Sequence, residues 1–294
     1  KTLLLLALFC SFLSFSQKKE NFKKLIEQTD KYLISYNKLD FMGSEIYHSV
    51  KGLKLSKNEL KEIITKSDNG RNFTVNKDSV SNELLYDFFL EKITHNFDKI
   101  FSHEDFEKYD LTVLMKNSID ILKSDDNKLY TLSIDEKTGG SYHSNISFVY
   151  HTEVKNQWKW NMENPDETFN NDGYYNLYTL KTDLDETLYV LSGSVRGCGT
   201  CIGIYIDVIK VENGNYIKDF SYNMYLRSGS GGLEYNNNSR TIFVEYQTDD
   251  LTRDCYCRSR SDYEDDFHKK CECVFMFNGT TFELVKESWE KINE

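Results

Sequence analysis

A chain of 294 residues with 36 Lys plus Arg against 47 Asp plus Glu carries a net charge of −11. That balance argues against nucleic acid and anionic membrane surfaces as partners, because both recruit proteins through a basic field. The length allows one large domain or two modest ones. Twenty Tyr and nineteen Phe beside a single Pro, Pro165, favour strands and aromatic binding surfaces.

Lys1-Thr2 is followed by an apolar run from Leu3 to Phe15, with Ser14-Phe15-Ser16 ahead of Gln17. A positive start, an apolar core and small residues three and one before a cut describe a secretory signal peptide. The run is shorter than the roughly 20 residues of a membrane span. Phe9 stands before Cys10 where lipid attachment wants a small residue. We therefore expect residues 1–16 to be a signal peptide and the product to be periplasmic, secreted or on the cell surface, without a lipid. Loss of Lys1 takes the net charge from −11 to −12. No later stretch reaches spanning length.

Residues 17–116 read as a helical segment. Phe22, Leu25, Ile26, Thr29, Tyr32, Leu33 and Tyr36 recur at three and four, one face of a helix. Ser56-Lys57-Asn58-Glu59 is a capping box ahead of Leu60, Ile63 and Ile64, with Gly70 as the stop. The span from Asn72 to Val80 suggests a short hairpin. A further helix is expected from about Asn82 to Phe101, with Leu84, Leu85, Phe88, Phe89, Ile93, Phe97 and Ile100 inward. Ser102 is placed to cap a short helix after it.

From about residue 117 the period changes to two and an internal repeat appears. Asp125-Asp126-Asn127-Lys128-Leu129-Tyr130 echoes Asp185-Glu186-Thr187-Leu188-Tyr189, and Asn238-Ser239-Arg240-Thr241-Ile242-Phe243 echoes both. Each copy continues through a loop, a strand, a tight turn and a strand. The turns fall at Lys155-Asn156-Gln157, Glu212-Asn213-Gly214 and Phe277-Asn278-Gly279, and Asn-Gly is a strong hairpin signal. The expected fold is α+β and mostly β. A helical N-terminal segment precedes a domain at 117–294 of three four-stranded antiparallel meanders, at about 117–161, 174–220 and 232–287. Four-stranded repeats of this size suggest propeller-like blades, with a β-trefoil or a single curved sheet as alternatives.

Loss of the leader leaves Cys198, Cys201, Cys255, Cys257, Cys271 and Cys273, an even set that in an exported chain reads as disulfides. Cys255-Tyr256-Cys257 and Cys271-Glu272-Cys273 each put both sulfurs on one strand face. If the two strands pair antiparallel, the bridges are Cys255–Cys273 and Cys257–Cys271. A four-thiolate zinc site is the competing reading of the same residues. Cys198-Gly199-Thr200-Cys201 is expected to be a local staple, because its strand-like flanks offer no helix N-terminus to activate a redox thiol.

The stretch from Ser124-Asp125-Asp126-Asn127-Lys128-Leu129 to Thr138-Gly139-Gly140-Ser141 resembles a pattern in uncharacterised exported proteins of Gram-negative bacteria. The resemblance covers only those residues. It implies the same compartment and a β-rich body, and it carries no activity.

Meander geometry sends the tight turns to one end and every long connection to the other. Long loops on a rigid scaffold concentrate binding residues. Tyr142, His143, Arg196, Tyr225, Arg227 and Tyr263 are therefore the candidate ligand contacts. His143 and His151 lie about 26 Å apart along a regular strand, too far to share a metal, and read as surface histidines. Acidic clusters at 183–186, 249–250 and 262–266 match no calcium loop and read as solvated turns. No nucleophile elbow or phosphate loop is present, so no metal, cofactor or catalytic residue is assigned. The expected function is binding of an envelope protein or glycan, with a secreted hydrolase of glycans or peptides as the alternative.

Overall fold

A computed structural model of the chain describes residues 22–41, 46–67, 79–138, 143–159, 168–227, 231–248, 255, 257 and 269–292. The signal-peptide stretch lies outside them. The chain divides into two compact units, Lys1–Asp120 and Ile121–Glu294.

In the first unit, helix α1 (22–36) buries Phe22, Ile26, Thr29, Tyr32, Leu33 and Tyr36 along one stripe. Strand β1 (Tyr47–Ser49) pairs antiparallel with β2 (Ser79–Ser81). Val80 pairs with His48 in that ladder, and residues 72–78 of the expected short hairpin lie outside the described residues. Helix α2 (Lys57–Ser67) begins at the capping box. The Ser56 N–H donates to Glu59 Oε2 at 2.6 Å, and the Glu59 N–H to Ser56 Oγ at 3.3 Å. Helix α3 (Asn82–Phe101) buries all seven residues of its apolar stripe. Ser102 closes α3, its hydroxyl donating to Asp98 O at 2.7 Å, so it ends one helix rather than starting the next. No described helix is long and apolar enough to cross a membrane.

The second unit holds three four-stranded antiparallel sheets, each in sequence order. The first contains β3 (Ile121–Lys123), β4 (Leu129–Asp135), β5 (Asn145–His151) and β6 (Trp158–Lys159). The second contains β7 (Asn176–Lys181), β8 (Thr187–Arg196), β9 (Cys201–Glu212) and β10 (Asn215–Arg227). The third contains β11 (Gly231–Asn236), β12 (Thr241–Thr248), β13 (Lys269–Phe277) and β14 (Phe282–Lys291). Every ladder among the described residues stays within its repeat. That removes the single curved sheet, and it removes the trefoil, whose strands pair across repeats. The closing strands β10 and β14 run on to Arg227 and Lys291, past the expected ends.

Turn chemistry explains the register. The first turn of each repeat contains one non-glycine residue in the left-handed region: Asn127, Asp185 and Arg240, with φ of 61°, 62° and 51°. Ser124 and Thr182 close the first two turns by accepting the backbone N–H groups of Lys128 and Glu186. In the third, Asn236 Oδ1 accepts from Asn238 and Ser239. Gly214 and Gly279 supply φ of 74° and 99° in the later hairpins, a conformation that glycine adopts without strain.

The second sheet is buried on both faces, because its side chains alternate between two cores. Leu188, Val190, Ile206 and Val208 join Ile242, Val244, Tyr246 and Phe275 of the third sheet. Tyr189, Leu191, Tyr205 and Ile209 join Leu129, Val149 and Trp158 of the first, with Phe169 and Tyr174 from the connecting segment. A bulge between Lys218 and Phe220 switches the face of β10, so Tyr216 belongs to one core and Phe220 to the other.

The cysteines bond as Cys198–Cys201, Cys255–Cys271 and Cys257–Cys273. The local staple is as expected, but the other two bridges correct the expected Cys255–Cys273 and Cys257–Cys271. Both hydrogen-bonding edges of β13 are occupied, by β12 and by β14. Cys255 and Cys257 thus cannot sit in a ladder beside it. They lie over its face instead, in the core shared with the second sheet, and both bridges span 16 residues. Equal separations mean the two segments run in the same direction, which inverts the pairing.

Candidate functional site

The long-connection end of the second sheet gathers four of the six candidate contacts. Arg196 ends β8 and sits opposite Ile202; Arg227 ends β10 opposite Cys201. Between them the Cys198–Cys201 bridge closes a tight turn, with the Gly197 N–H donating to Cys201 O at 3.1 Å. The Arg196 guanidinium stitches that turn, Nε and Nη2 donating to the carbonyls of Cys198 and Gly199 at 3.3 and 3.4 Å. Tyr225 lays its ring across Gly197, where a Cβ would fall 1.9 Å from the phenol oxygen. The His143 N–H donates to Arg196 O at 3.3 Å, bringing the start of β5 to the same place. Tyr142 and Tyr263 lie outside the described residues.

Asp172 lies in the connecting segment of the same end. Its carbonyl accepts from Asn145 Nδ2 at 3.1 Å. Its side chain is buried, and Oδ1 has no hydrogen-bond partner. Burial, reinforced by the Glu136 carboxylate, pushes its carboxyl up to about 6 against the pull of the Asn145 backbone.

The opposite end holds a feature that sequence reasoning missed. A cavity of about 200 Å³ opens between the first and second sheets. Lys128, His151 and Glu153 form one wall; Glu186, Tyr189, Lys210 and Glu212 form the other. Lys128 pairs with Glu153, and Lys210 with Glu186 at 3.5 Å. His151 is only 1% exposed, which corrects its assignment as a surface residue.

The burial of His151 is matched by hydrogen bonds. Its Nδ1 accepts the Glu153 N–H at 3.1 Å, so the neutral ring carries its proton on Nε2. That nitrogen donates to the Tyr189 hydroxyl at 3.0 Å, and Tyr189 donates to Asp126 Oδ2 at 2.8 Å. Burial lowers the His151 pKa, outweighing the carboxylates of Glu153 and Asp126. Burial alone would raise Asp126, but hydrogen bonds from Ser124, Tyr189 and the Lys128 backbone hold it below the usual carboxylate range. Tyr189 is held well above its ordinary pKa by burial and then by Asp126. The chain is a set of aligned donors ending on a carboxylate. It fixes a neutral imidazole and a protonated phenol at the cavity floor, and prepares neither as a nucleophile.

The missed signal lay in the repeat itself. Asp126 and Tyr189 belong to the matching stretches of adjacent copies, and stacked copies bring such stretches level. Among the described residues no group of three or more His, Cys, Asp or Glu is placed to hold a metal ion. Fold and site together define a disulfide-bonded protein of three antiparallel meanders with a polar cavity between the first two. No protein-family model, curated protein or solved structure matches the chain.

Proposed function

We propose that this chain is an exported binding protein that takes an envelope protein or glycan at the long-connection end of its β unit. The observation that carries the reading is the gathering of Arg196, Tyr225 and Arg227 around the turn closed by Cys198–Cys201. Arg and Tyr are enriched among the residues that dominate binding energy. A bridged turn holds them in place before contact, which lowers the ordering cost of binding. The three disulfides fit an oxidising compartment, as does the apolar leader. The sheets are propeller-like blades in this reading, supported by their shared meander order and by the burial of the second between the other two.

The test compares the wild-type chain with an Arg196→Ala, Tyr225→Ala, Arg227→Ala variant. Both are screened on an array of envelope glycans and by crosslinking to purified envelope proteins. A defined glycan or protein held by the wild type and lost by the variant supports the proposal. Equal capture by both sinks it. Mass spectrometry of the exported chain, expected to begin at Gln17, tests the compartment separately.

A further inference from the structure

We propose that the cavity between the first and second sheets is a separate binding site for a small organic cation bearing a primary ammonium. It stands at the short-turn end and does not depend on the loop contacts proposed above. Charge is the first argument. Glu153, Glu186 and Glu212 face the cavity against two lysines, Lys128 and Lys210. Asp126 adds a fourth carboxylate, one hydrogen bond behind Tyr189. Each lysine already pairs with a glutamate, so the surplus rests on Glu212 and Asp126. His151 adds no compensating charge, because its Nδ1 accepts a backbone N–H and is therefore unprotonated. An anion would have to separate a lysine from its glutamate; a cation restores balance.

Donor geometry is the second argument. An ammonium has three N–H donors and no acceptor. Glu212 offers a carboxylate, and the Tyr189 oxygen, which accepts from His151 and donates to Asp126, keeps a second lone pair. The carboxylates of Glu186 and Glu153 extend the acceptor set on either wall. A metal ion is the poorer fit, since no described cluster offers three ligating side chains. Size is the third argument. About 200 Å³ is below the roughly 300–1,000 Å³ of pockets for drug-sized ligands, so the occupant is a small metabolite such as a diamine or an amino sugar.

Isothermal titration of the mature chain with putrescine and with glucosamine tests this, with glucose, acetate and magnesium as controls. The expected result is a dissociation constant below about 1 mM for at least one amine. Glu212→Gln, at an exposed strand end, should weaken it by about tenfold without shifting thermal unfolding. Arg196→Ala should leave it unchanged, which separates this site from the loop end. The proposal is overturned if neither amine binds, if Glu212→Gln binds equally well, or if glucose, acetate or magnesium binds as tightly.

Discussion

The two interfaces of the second sheet are built from opposite materials. Toward the third sheet it presents Leu188, Val190, Ile206 and Val208 to a core of aliphatic and aromatic residues closed by two disulfides. Rings cross the gap directly: Tyr222 and Phe275 lie 5.7 Å apart, Tyr178 and Tyr235 5.1 Å. On the side of the first sheet the contacts are polar: Tyr189 donates to Asp126 of the first repeat at 2.8 Å, Tyr205 to the Gly173 carbonyl of the connecting segment, and Tyr174 of that segment to Asp207 of the sheet at 2.6 Å. The same sheet thus has one face sealed by area and crosslinks and one face held by directional bonds. A sealed face tolerates no cavity cheaply. A bonded face keeps one of about 200 Å³, lined by polar and charged groups.

Breaking the crosslinks of the sealed face should have the largest effect. Each bridge closes a loop of 16 residues, for which chain entropy in the unfolded state predicts about 3 kcal/mol. Replacing Cys255, Cys257, Cys271 and Cys273 together by Ala, which opens that loop, should lower unfolding free energy in denaturant by at least about 3 kcal/mol. A loss below about 1 kcal/mol would mean the apolar packing alone seals the face. Tyr174→Phe should cost less, about 1.5–3 kcal/mol, the range for a hydrogen bond to a charged group. Asp207 would keep Ser221 at 2.7 Å and Lys218 at 3.5 Å. An unchanged stability would show that the bonded face is not held by its tyrosines.

Which parts of this contrast are legible in the sequence follows from how far apart the interacting residues lie. The meanders are legible because their signals are local: Asn213-Gly214 and Asn278-Gly279 set hairpins, and period-two runs flank them. The burial of α3 is legible because its stripe lies within twenty residues. The bridge pairing is not, because strand alternation says which way a cysteine points but not which edge of β13 is free. Its partners β12 and β14 are fixed by ladders that no spacing near Cys255 reveals. His151 fails for the same reason, since its partner Tyr189 stands 38 residues away in the next repeat. The gathering of His143, Arg196, Tyr225 and Arg227 follows from connection lengths alone, although nothing in those lengths says what the cluster binds.

Acidity separates two groups on the bonded face. Asp172 titrates at about 6 in the folded state against about 3.9 when unfolded. The folded state therefore holds its proton longer, and stability falls as pH rises from about 4 to 6. Asp172→Asn removes that loss, so the variant should be more stable than wild type by about 1–2 kcal/mol above pH 6, with the gain fading toward pH 4. His151 acts in the other direction. Its folded pKa lies below the ordinary value of about 6.5, so the unfolded state takes the proton first. Stability is full above that pH and declines as pH falls through it. Denaturant titrations of both proteins from pH 4 to 8 should show the variant retaining only the decline at low pH. A gain that did not change with pH would locate the effect in packing rather than in the buried charge.

The smallest effect is expected at the mouth of the cavity. Lys128 and Glu153 pair there with side chains 47% and 54% exposed, and exposed pairs contribute about 0.2–1 kcal/mol. Lys128→Ala should thus move the unfolding midpoint little, by less than about 0.5 kcal/mol, and less still in high salt. Its effect on a cation in the cavity should be larger than its effect on the fold. Removing Lys128 frees Glu153 and takes away a positive charge from the wall, so putrescine should bind more tightly. A loss of stability above about 1 kcal/mol with no gain in amine affinity would mean that the lysine braces the first sheet. The bonded face would then be as rigid as the sealed one, and the cavity a gap left by packing.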